Sequence, residues 1–160
     1  MPVQGNDRGI RIKTRRGRGG KIHDLQFRRL VMENNLCPVT INMFYRCGAN
    51  LSDGYFIQDM LPVNSSTPSI KNISIEDIRA FGCRASAGFI AGLPESPVEN
   101  IKLQRCDFST NEQSGVSPDE AEMFLGLPRL TEKSIRMLNV INAQLNDIQV
   151  YGPAEPFIYH

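Results

Sequence analysis

A short phrase of apolar and polar residues recurs four times between Ile22 and Val150, and it constrains the fold more than any other feature of the chain. The phrase reads apolar-x-Asn/Asp-apolar-x-apolar-x-x-apolar-x-apolar, and it fits each window without a gap. The four windows begin at Ile22, Ile70, Val98 and Val140. Apolar residues two positions apart are typical of a strand with one buried face. Four copies of such a unit predict neighbours that stack, because one unit cannot bury its own apolar face.

The repeat therefore predicts an all-β fold, a right-handed parallel β-helix of about four to five coils with short strands and little helix. The sixth residue of each window should then stack in one interior column. That column would consist of Phe27, Ile75, Leu103 and Leu145.

The third position of each window is Asn or Asp, namely Asp24, Asn72, Asn100 and Asn142. A short amide or carboxylate side chain can bond its own backbone at a bend. Amide side chains on neighbouring coils can also bond to one another in a ladder. The slot therefore predicts a bend repeated at the same place in every coil.

The spacing between windows predicts where the coils are interrupted. Successive windows start 48, 28 and 42 residues apart, and the two longer intervals contain more residues than one coil requires. We expect loop insertions at 48–69 and 111–136. The second should hold one short helix after Ser117, because Pro and acidic residues follow it, or an irregular loop. Later strands are expected at 39–45, 87–90 and 155–158. We expect the β-helix domain to span 7–160, after a start at 1–6 that does not continue its pattern.

Composition excludes several classes of protein. With 160 residues, 41% of them hydrophobic, and a net charge of +1, the chain is one globular domain at most. No run of 18 apolar residues is present, so the sequence predicts no membrane span. The four cysteines form no CxxC pair and only two histidines accompany them, so we expect free buried thiols and neither a metal nor a cofactor.

A basic segment is the second informative feature. Seven of the 18 Lys and Arg residues fall between Arg8 and Lys21. Strand alternation would direct Ile10 and Ile12 to one side and Arg11 and Lys13 to the other, and the two cations would stand about 6.6 Å apart along the strand. Such a pair suits one anionic ligand.

Two other interpretations of this segment stay open. The run from Arg16 to Gly20 resembles the arginine-glycine segments that bind nucleic acid, but no aromatic residue is interleaved for base stacking, so we expect no nucleic-acid partner. The segment could also be a solvated, highly charged edge without a ligand.

Several runs resemble the C-terminal part of glycoside hydrolase family 28, the polygalacturonases and related pectinases. They are Asp7–Thr14, which contains Arg-Ile-Lys, the pair Gly19–Gly20, Ile41–Tyr45, and Pro118–Arg129. The resemblance extends over nearly the whole chain from Asp7. It implies that Arg11 and Lys13 bind a galacturonate carboxylate and that Tyr45 lies at the same subsite. Tyr45 could equally be a partly buried aromatic at the end of a strand.

The resemblance also shows what this sequence lacks. Family members hydrolyse α-1,4-galacturonosyl bonds with Asn-Thr-Asp, Asp-Asp and Gly-His-Gly motifs that precede Arg-Ile-Lys, and no Asp-Asp pair occurs here. No second carboxylate stands at a spacing that would pair it with Asp7, Asp24 or Asp53 for catalysis. We therefore expect turn or surface roles for these three residues and no catalytic residue in this chain.

Two functions follow as hypotheses. The chain is a pectinase fragment that is inactive alone, or a non-catalytic module that binds acidic oligosaccharides such as pectin. An open apolar coil at its N-terminal end favours the fragment and predicts self-association through that end.

Overall fold

The computed structural model describes residues 3–4, 7–46, 48–124 and 126–160. The strands are β1 Val3–Gln4, β2 Arg8–Lys13, β3 Lys21–Glu33, β4 Cys37–Asn42, β5 Ser69–Cys83, β6 Gly88–Ala91, β7 Val98–Thr110, β8 Ile135–Leu138, β9 Val140–Ile141, β10 Gln144–Tyr151 and β11 Phe157–Tyr159. Two 3₁₀ helices span Leu51–Asp53 and Pro118–Ala121. Within the described ranges no helix is long and apolar enough to cross a membrane.

The strands form two parallel sheets that alternate along the chain. One sheet has the order β1-β3-β5-β7-β10, with β9 beside β7, and we call it the bent sheet. The other has the order β2-β4-β6-β8-β11, and we call it the flat sheet. Each coil contributes one strand to each sheet, in the pairs β2–β3, β4–β5, β6–β7 and β8–β10. The prediction of a parallel β-helix is confirmed.

The predicted interior column is present. Phe27 pairs in register with Ile75, Ile75 with Leu103, and Leu103 with Leu145. The two central members are fully buried, whereas Phe27 and Leu145, which lie on the outer coils, are partly buried. Because similar side chains stack on one another, the apolar face of each coil packs against that of the next, as the repeat requires.

The Asn/Asp slot forms the predicted bend and ladder. Its four members all have left-handed backbone, with φ between 55° and 58°. Asn72 donates from Nδ2 to Asp24 at 2.8 Å, Asn100 donates to Asn72 at 2.9 Å, and Asn142 donates to Asn100 at 3.1 Å. Asn and Asp tolerate this conformation better than other residues that have a Cβ.

A second column of left-handed residues lies five positions later in each coil. Its members are Arg29, Asp77, Arg105 and Asp147, with φ from 51° to 56°. Arg105 forms a double hydrogen bond with Asp77, at 2.5 and 3.1 Å. The strands β3, β5 and β7 are 13, 15 and 13 residues long rather than short, but these bends divide each of them into short straight segments.

The described cysteines behave as small apolar residues. Cys37, Cys83 and Cys106 are free and buried. Burial raises the pKa of Cys83 to about 12, with a further contribution from Cys37, so this thiol stays protonated at neutral pH. Burial also raises the pKa of Cys37 and of Cys106. The same expectation for Cys47 falls outside the described residues.

The strand β8 begins at Ile135, inside the segment that the sequence predicted as an insertion. All four of its residues are buried, including Arg136. Its charged residue interrupts the apolar pattern, which is why periodicity alone does not reveal the strand. The helix predicted after Ser117 is the 3₁₀ helix Pro118–Ala121, with Ser117 at its N-cap position.

The ladder predicts a specific loss of stability. In Asn100→Ala we expect the free energy of unfolding to fall by about 2 to 3 kcal/mol, because two side-chain hydrogen bonds are lost and alanine is strained at positive φ. Asn100→Gly should lose less, since glycine accepts this conformation. Urea denaturation measures both.

Asn146→Ala is the matched control, because Asn146 is an exposed amide in the adjacent strand β10. We expect it to change the free energy of unfolding by less than about 0.5 kcal/mol. Equal losses in Asn100→Ala and Asn146→Ala would contradict a stabilising ladder.

Candidate functional site

The strand β2 carries a charged outer side and an apolar inner side. Ile10 and Ile12 are buried in the core, whereas Arg11 and Lys13 are exposed. Neighbouring residues of β4 pair with them in register, Thr40 with Arg11 and Asn42 with Lys13. The two cations therefore project from the outer surface of the flat sheet at its first strand.

Tyr45 lies beside both cations. It follows the end of β4, where its backbone N–H donates to the carbonyl of Thr14 at 3.1 Å. Its hydroxyl accepts hydrogen bonds from Arg11 Nη2 at 3.1 Å and from Lys13 Nζ at 3.5 Å. Lys13 Nζ is 4.4 Å from the ring centroid and the Arg11 guanidinium carbon is 5.2 Å from it. The structure thus brings the three candidate residues into one cluster, which we call the basic face.

In the described part of the chain, neither cation of the basic face forms an ion pair. Among residues 7–46, 48–124 and 126–160, no carboxylate lies within ion-pair distance of Arg11 or Lys13. Their shared acceptor, the Tyr45 hydroxyl, is neutral and cannot offset two positive charges. This arrangement leaves both cations available to an anion.

The segment 118–124 forms one wall beside the basic face. Met123 Sδ lies 3.6 Å from Arg11 Nη2. The ring of Phe124 stacks on Phe44, with centroids 4.2 Å apart and an interplanar angle of 18°. Asn42 donates from Nδ2 to the carbonyl of Glu122 at 2.8 Å and ties this wall to the end of β4.

A groove of about 540 Å³ runs between the wall and Tyr45. It is lined by Tyr45, Arg46, Gly48, Asp119, Glu120, Met123 and Phe124. Sequence reasoning did not identify the residues of the wall as site residues. The run from Pro118 to Arg129 was the available signal, since it belongs to the family resemblance, but no pattern in it indicates which strand it packs against.

A buried ion pair anchors the wall. Arg136 is 1% exposed, and it bonds from Nη1 to Glu122 and from Nη2 to the carbonyl of Pro128 at 2.8 Å. Arg8 adds a second anchor, because its Nη2 donates to the carbonyls of Glu120 and Ala121 at 3.2 and 3.1 Å. Arg8 thus serves the wall and does not join the basic face.

A second buried ion pair shapes the loop between β4 and β5. The guanidinium of Arg16 bonds to both carboxylate oxygens of Glu95, at 2.5 and 2.8 Å. Arg16 also donates to the loop carbonyls of Ile57 and, at 3.1 Å, of Asp59. Burial by itself raises the pKa of Glu95, but the hydrogen bonds and charge of Arg16 outweigh it, so that pKa lies below its ordinary value of 4.5. Arg16 therefore has a structural role and is not a free cation of the arginine-glycine run.

The three aspartates considered as general acids take part in local contacts. Asp24 accepts from Asn72 at the start of the ladder. Asp53 accepts from the backbone N–H of Asn50 at 2.8 Å, and Asp7 lies 3.7 Å from Arg8.

Comparison with known proteins shows a distant relationship. The chain is 30% identical over 109 residues to a probable polygalacturonase of Arabidopsis thaliana. The matched region is 67% of this chain and spans 22% of the length of that protein. No family model matches the chain, and no solved structure matches it. The similarity supports a polygalacturonase-like relationship.

The Arg16–Glu95 pair predicts a pH-dependent loss of stability. In Glu95→Gln we expect the free energy of unfolding near neutral pH to fall by about 3 kcal/mol, because the variant leaves a buried guanidinium without its counterion. The pKa of Glu95 is lowered in the folded protein. The native chain's advantage should therefore be complete above pH 4.5 and shrink as the pH falls through the folded pKa.

Glu99→Gln serves as the control for this experiment, because Glu99 forms a partly exposed ion pair with Lys71 at 3.0 Å. Such pairs contribute about 0 to 1 kcal/mol. Urea titrations between pH 3 and pH 7 compare the variants, and a loss in Glu95→Gln no larger than in Glu99→Gln would contradict the prediction.

Proposed function

We propose that this chain is part of a polygalacturonase-like glycoside hydrolase of pectin and that its basic face binds the carboxylate of a galacturonate residue. The observation that carries the proposal is the pair of exposed cations, Arg11 and Lys13, which share the hydroxyl of Tyr45 and form no ion pair with any carboxylate that the structure describes. The similarity to a probable polygalacturonase supports the choice of a uronate as the anion.

The chemistry of the basic face suits a uronate. Arg11 offers a planar fork for a carboxylate, and Lys13 adds a compact charge. Each charge-assisted bond can contribute about 1.5 to 3 kcal/mol. Association must also offset the lost freedom of the ligand, so we expect an affinity at about the millimolar level. The Tyr45 hydroxyl can accept from a sugar hydroxyl once a carboxylate has taken the cations.

We further propose that the chain binds this ligand without cleaving it. Glycosidases of this kind need a proton donor and a second carboxylate that activates water. The groove contains Asp119 and Glu120, but Asp119 accepts from the backbone N–H of Leu130 at 3.3 Å and from the Ser117 hydroxyl at 3.3 Å, so it holds its own loop.

A second candidate function is a binding module that is complete without a catalytic centre. The pairing of β1 with Met32 and Glu33 of β3 favours it, because this strand covers part of the outermost edge. The exposed side chain of Leu25 in β3 favours the fragment, since Leu25 pairs in register with the buried Ile73 of the next coil and yet 36% of its surface is accessible. Self-association through this edge stays a prediction.

Binding is tested by titrating the chain with trigalacturonate at low salt and following NMR shifts. We expect Arg11→Gln and Lys13→Gln each to weaken binding on the order of tenfold, because each removes one charge-assisted interaction. Arg79→Gln, an exposed cation of the bent sheet, should have no effect. High salt should weaken binding of the native chain.

The neutral trimer of galactose is the ligand control for this titration. It has the same hydroxyl-rich character without carboxylates, so it should cause only small shifts at the basic face. Equal binding of both trimers, or binding that is unchanged in both Arg11→Gln and Lys13→Gln, would contradict the proposed function.

The absence of cleavage is tested separately. We expect the purified chain to release no more reducing ends from polygalacturonate than a protein-free control, because acid and base catalysis contribute about 10² to 10⁴-fold each. Release that disappears in Asp119→Asn or Glu120→Gln would show that the groove is catalytic and would overturn this part of the proposal.

A further inference from the structure

A third cation continues the outer side of β2 beyond the basic face. Arg15 follows Lys13 by two residues, and its guanidinium carbon lies 4.7 Å from the ring centroid of Tyr55. Its Nη1 donates to the carbonyl of Arg16 at 3.3 Å. Its Nε is buried without a hydrogen-bond partner, and no described carboxylate lies within ion-pair distance of it. Arg15 and Tyr55 thus repeat the combination of unpaired cation and tyrosine seen at the basic face.

The position of Tyr55 is fixed by its surroundings. Gly17 has a φ of 84°, and a Cβ at this residue would lie 2.7 to 3.0 Å from the ring and hydroxyl of Tyr55. Only glycine therefore lets the ring approach the backbone here. Arg16 donates to the carbonyl of Tyr55 at 3.4 Å from beneath the loop. The aromatic side chain is held in place without a ligand, which lowers the entropic cost of binding one.

A polar cavity of about 620 Å³ adjoins Tyr55. Its outer lining includes Asp53, Asn64, Ser65, Ser66 and Thr67, and its inner lining includes the Arg16–Glu95 pair. Hydroxyl, amide and carboxylate groups beside one aromatic ring are the donors and acceptors that hydroxyl-rich ligands require. The one cation among the described lining residues, Arg16, is paired with Glu95, and Arg15 adjoins the cavity only through its contact with the ring of Tyr55. A carboxylate is therefore expected at Arg15, and sugar hydroxyls are expected in the cavity.

We propose that Arg15, Tyr55 and this cavity form a second saccharide subsite, which takes a further uronate residue of the same oligosaccharide that is held by the basic face. The inference rests on the proposed function. Arg15 lies two residues beyond Lys13, the last residue of β2, and forms an isolated bridge with Phe44 next to Tyr45. Two residues of extended chain span about 6.6 Å, so one acidic oligomer can reach both cations. The chain then selects polymers by length and by the spacing of their charges, which a single subsite cannot do.

Tyrosine-selective NMR labelling tests the second subsite, because the chain has only four tyrosines. Tyr45 and Tyr55 report on the two subsites, whereas Tyr151 and Tyr159, in β10 and β11, are exposed internal controls. Galacturonate monomer should shift Tyr45 alone. The trimer should shift Tyr45 and Tyr55 together and bind about tenfold more tightly than the monomer, since one more charge-assisted contact forms.

Variants of Arg15 then separate the two subsites. Arg15→Gln should remove the tenfold gain from added length and the Tyr55 shift, while monomer binding and the Tyr45 shift stay as in the native chain. Arg15→Lys keeps the charge but loses the planar fork, so it should retain part of the gain. Arg79→Gln is the matched control, and unchanged thermal unfolding shows that each variant is folded.

The remaining outcomes distinguish this inference from the proposed function. If the trimer shifts Tyr45 and leaves Tyr55 unchanged, the second subsite is wrong and the proposed function stands. If the monomer shifts Tyr55 in the native chain and to the same extent in Arg11→Gln, the cavity is an independent site and the inference of one continuous ligand is wrong. If neither tyrosine responds to any oligomer, both proposals are overturned.

Discussion

The column of Asn and Asp side chains at the left-handed bends is the constraint on which the rest of the structure depends. Each bend must occur at the same place in every coil, because the amides of neighbouring coils bond to one another at 2.8 to 3.1 Å. A slip of one residue would break this ladder and turn every interior side chain outward. With the register fixed, Ile10 and Ile12 must face inward, and Arg11 and Lys13 must therefore face outward. The geometry of the basic face follows from a bend on the other sheet.

A regular sheet surface offers no cavity, and the two insertions supply what the coils lack. A buried arginine in an ion pair attaches each insertion to the coils, Arg136 for the wall of the groove and Arg16 for the loop that carries Tyr55. Arginine suits this role, because its planar fork can satisfy a carboxylate and several loop carbonyls at once. Such pairs need not stabilise the fold relative to an apolar contact, but they require one particular loop conformation. We regard the two pairs as the elements that convert a flat surface into grooves.

The fold was predictable from the sequence because its information is local and repeated. The apolar spacing and the Asn/Asp slot occur four times, so each copy supports the others, and both the interior column and the bends were confirmed. The second column of bends was not predictable, since Arg29 and Arg105 are residue types that rarely adopt positive φ. The strand β8 was missed for a related reason, because its buried arginine has a partner 14 residues away in an irregular segment. Composition treats arginine as a surface residue, and only tertiary contacts reveal a buried one.

Tertiary contacts also decide which cations of the basic segment are available at the surface. Seven cations lie close together in sequence, but two of them form internal contacts. Arg8 donates to two backbone carbonyls of the wall, and Arg16 pairs with the carboxylate of Glu95. Arg11, Lys13 and Arg15 lie beside tyrosine rings, along the outer side of β2 and just beyond its end, and they form no ion pair with a carboxylate of the described residues. Aromatic rings attract cations weakly and leave their charge intact. The three side chains therefore repel one another, and we expect a ligand that places carboxylates at regular intervals to relieve that repulsion along the whole row. A single small anion could do so at only one position, and this difference is the physical reason for proposing an acidic polymer as the ligand of the row.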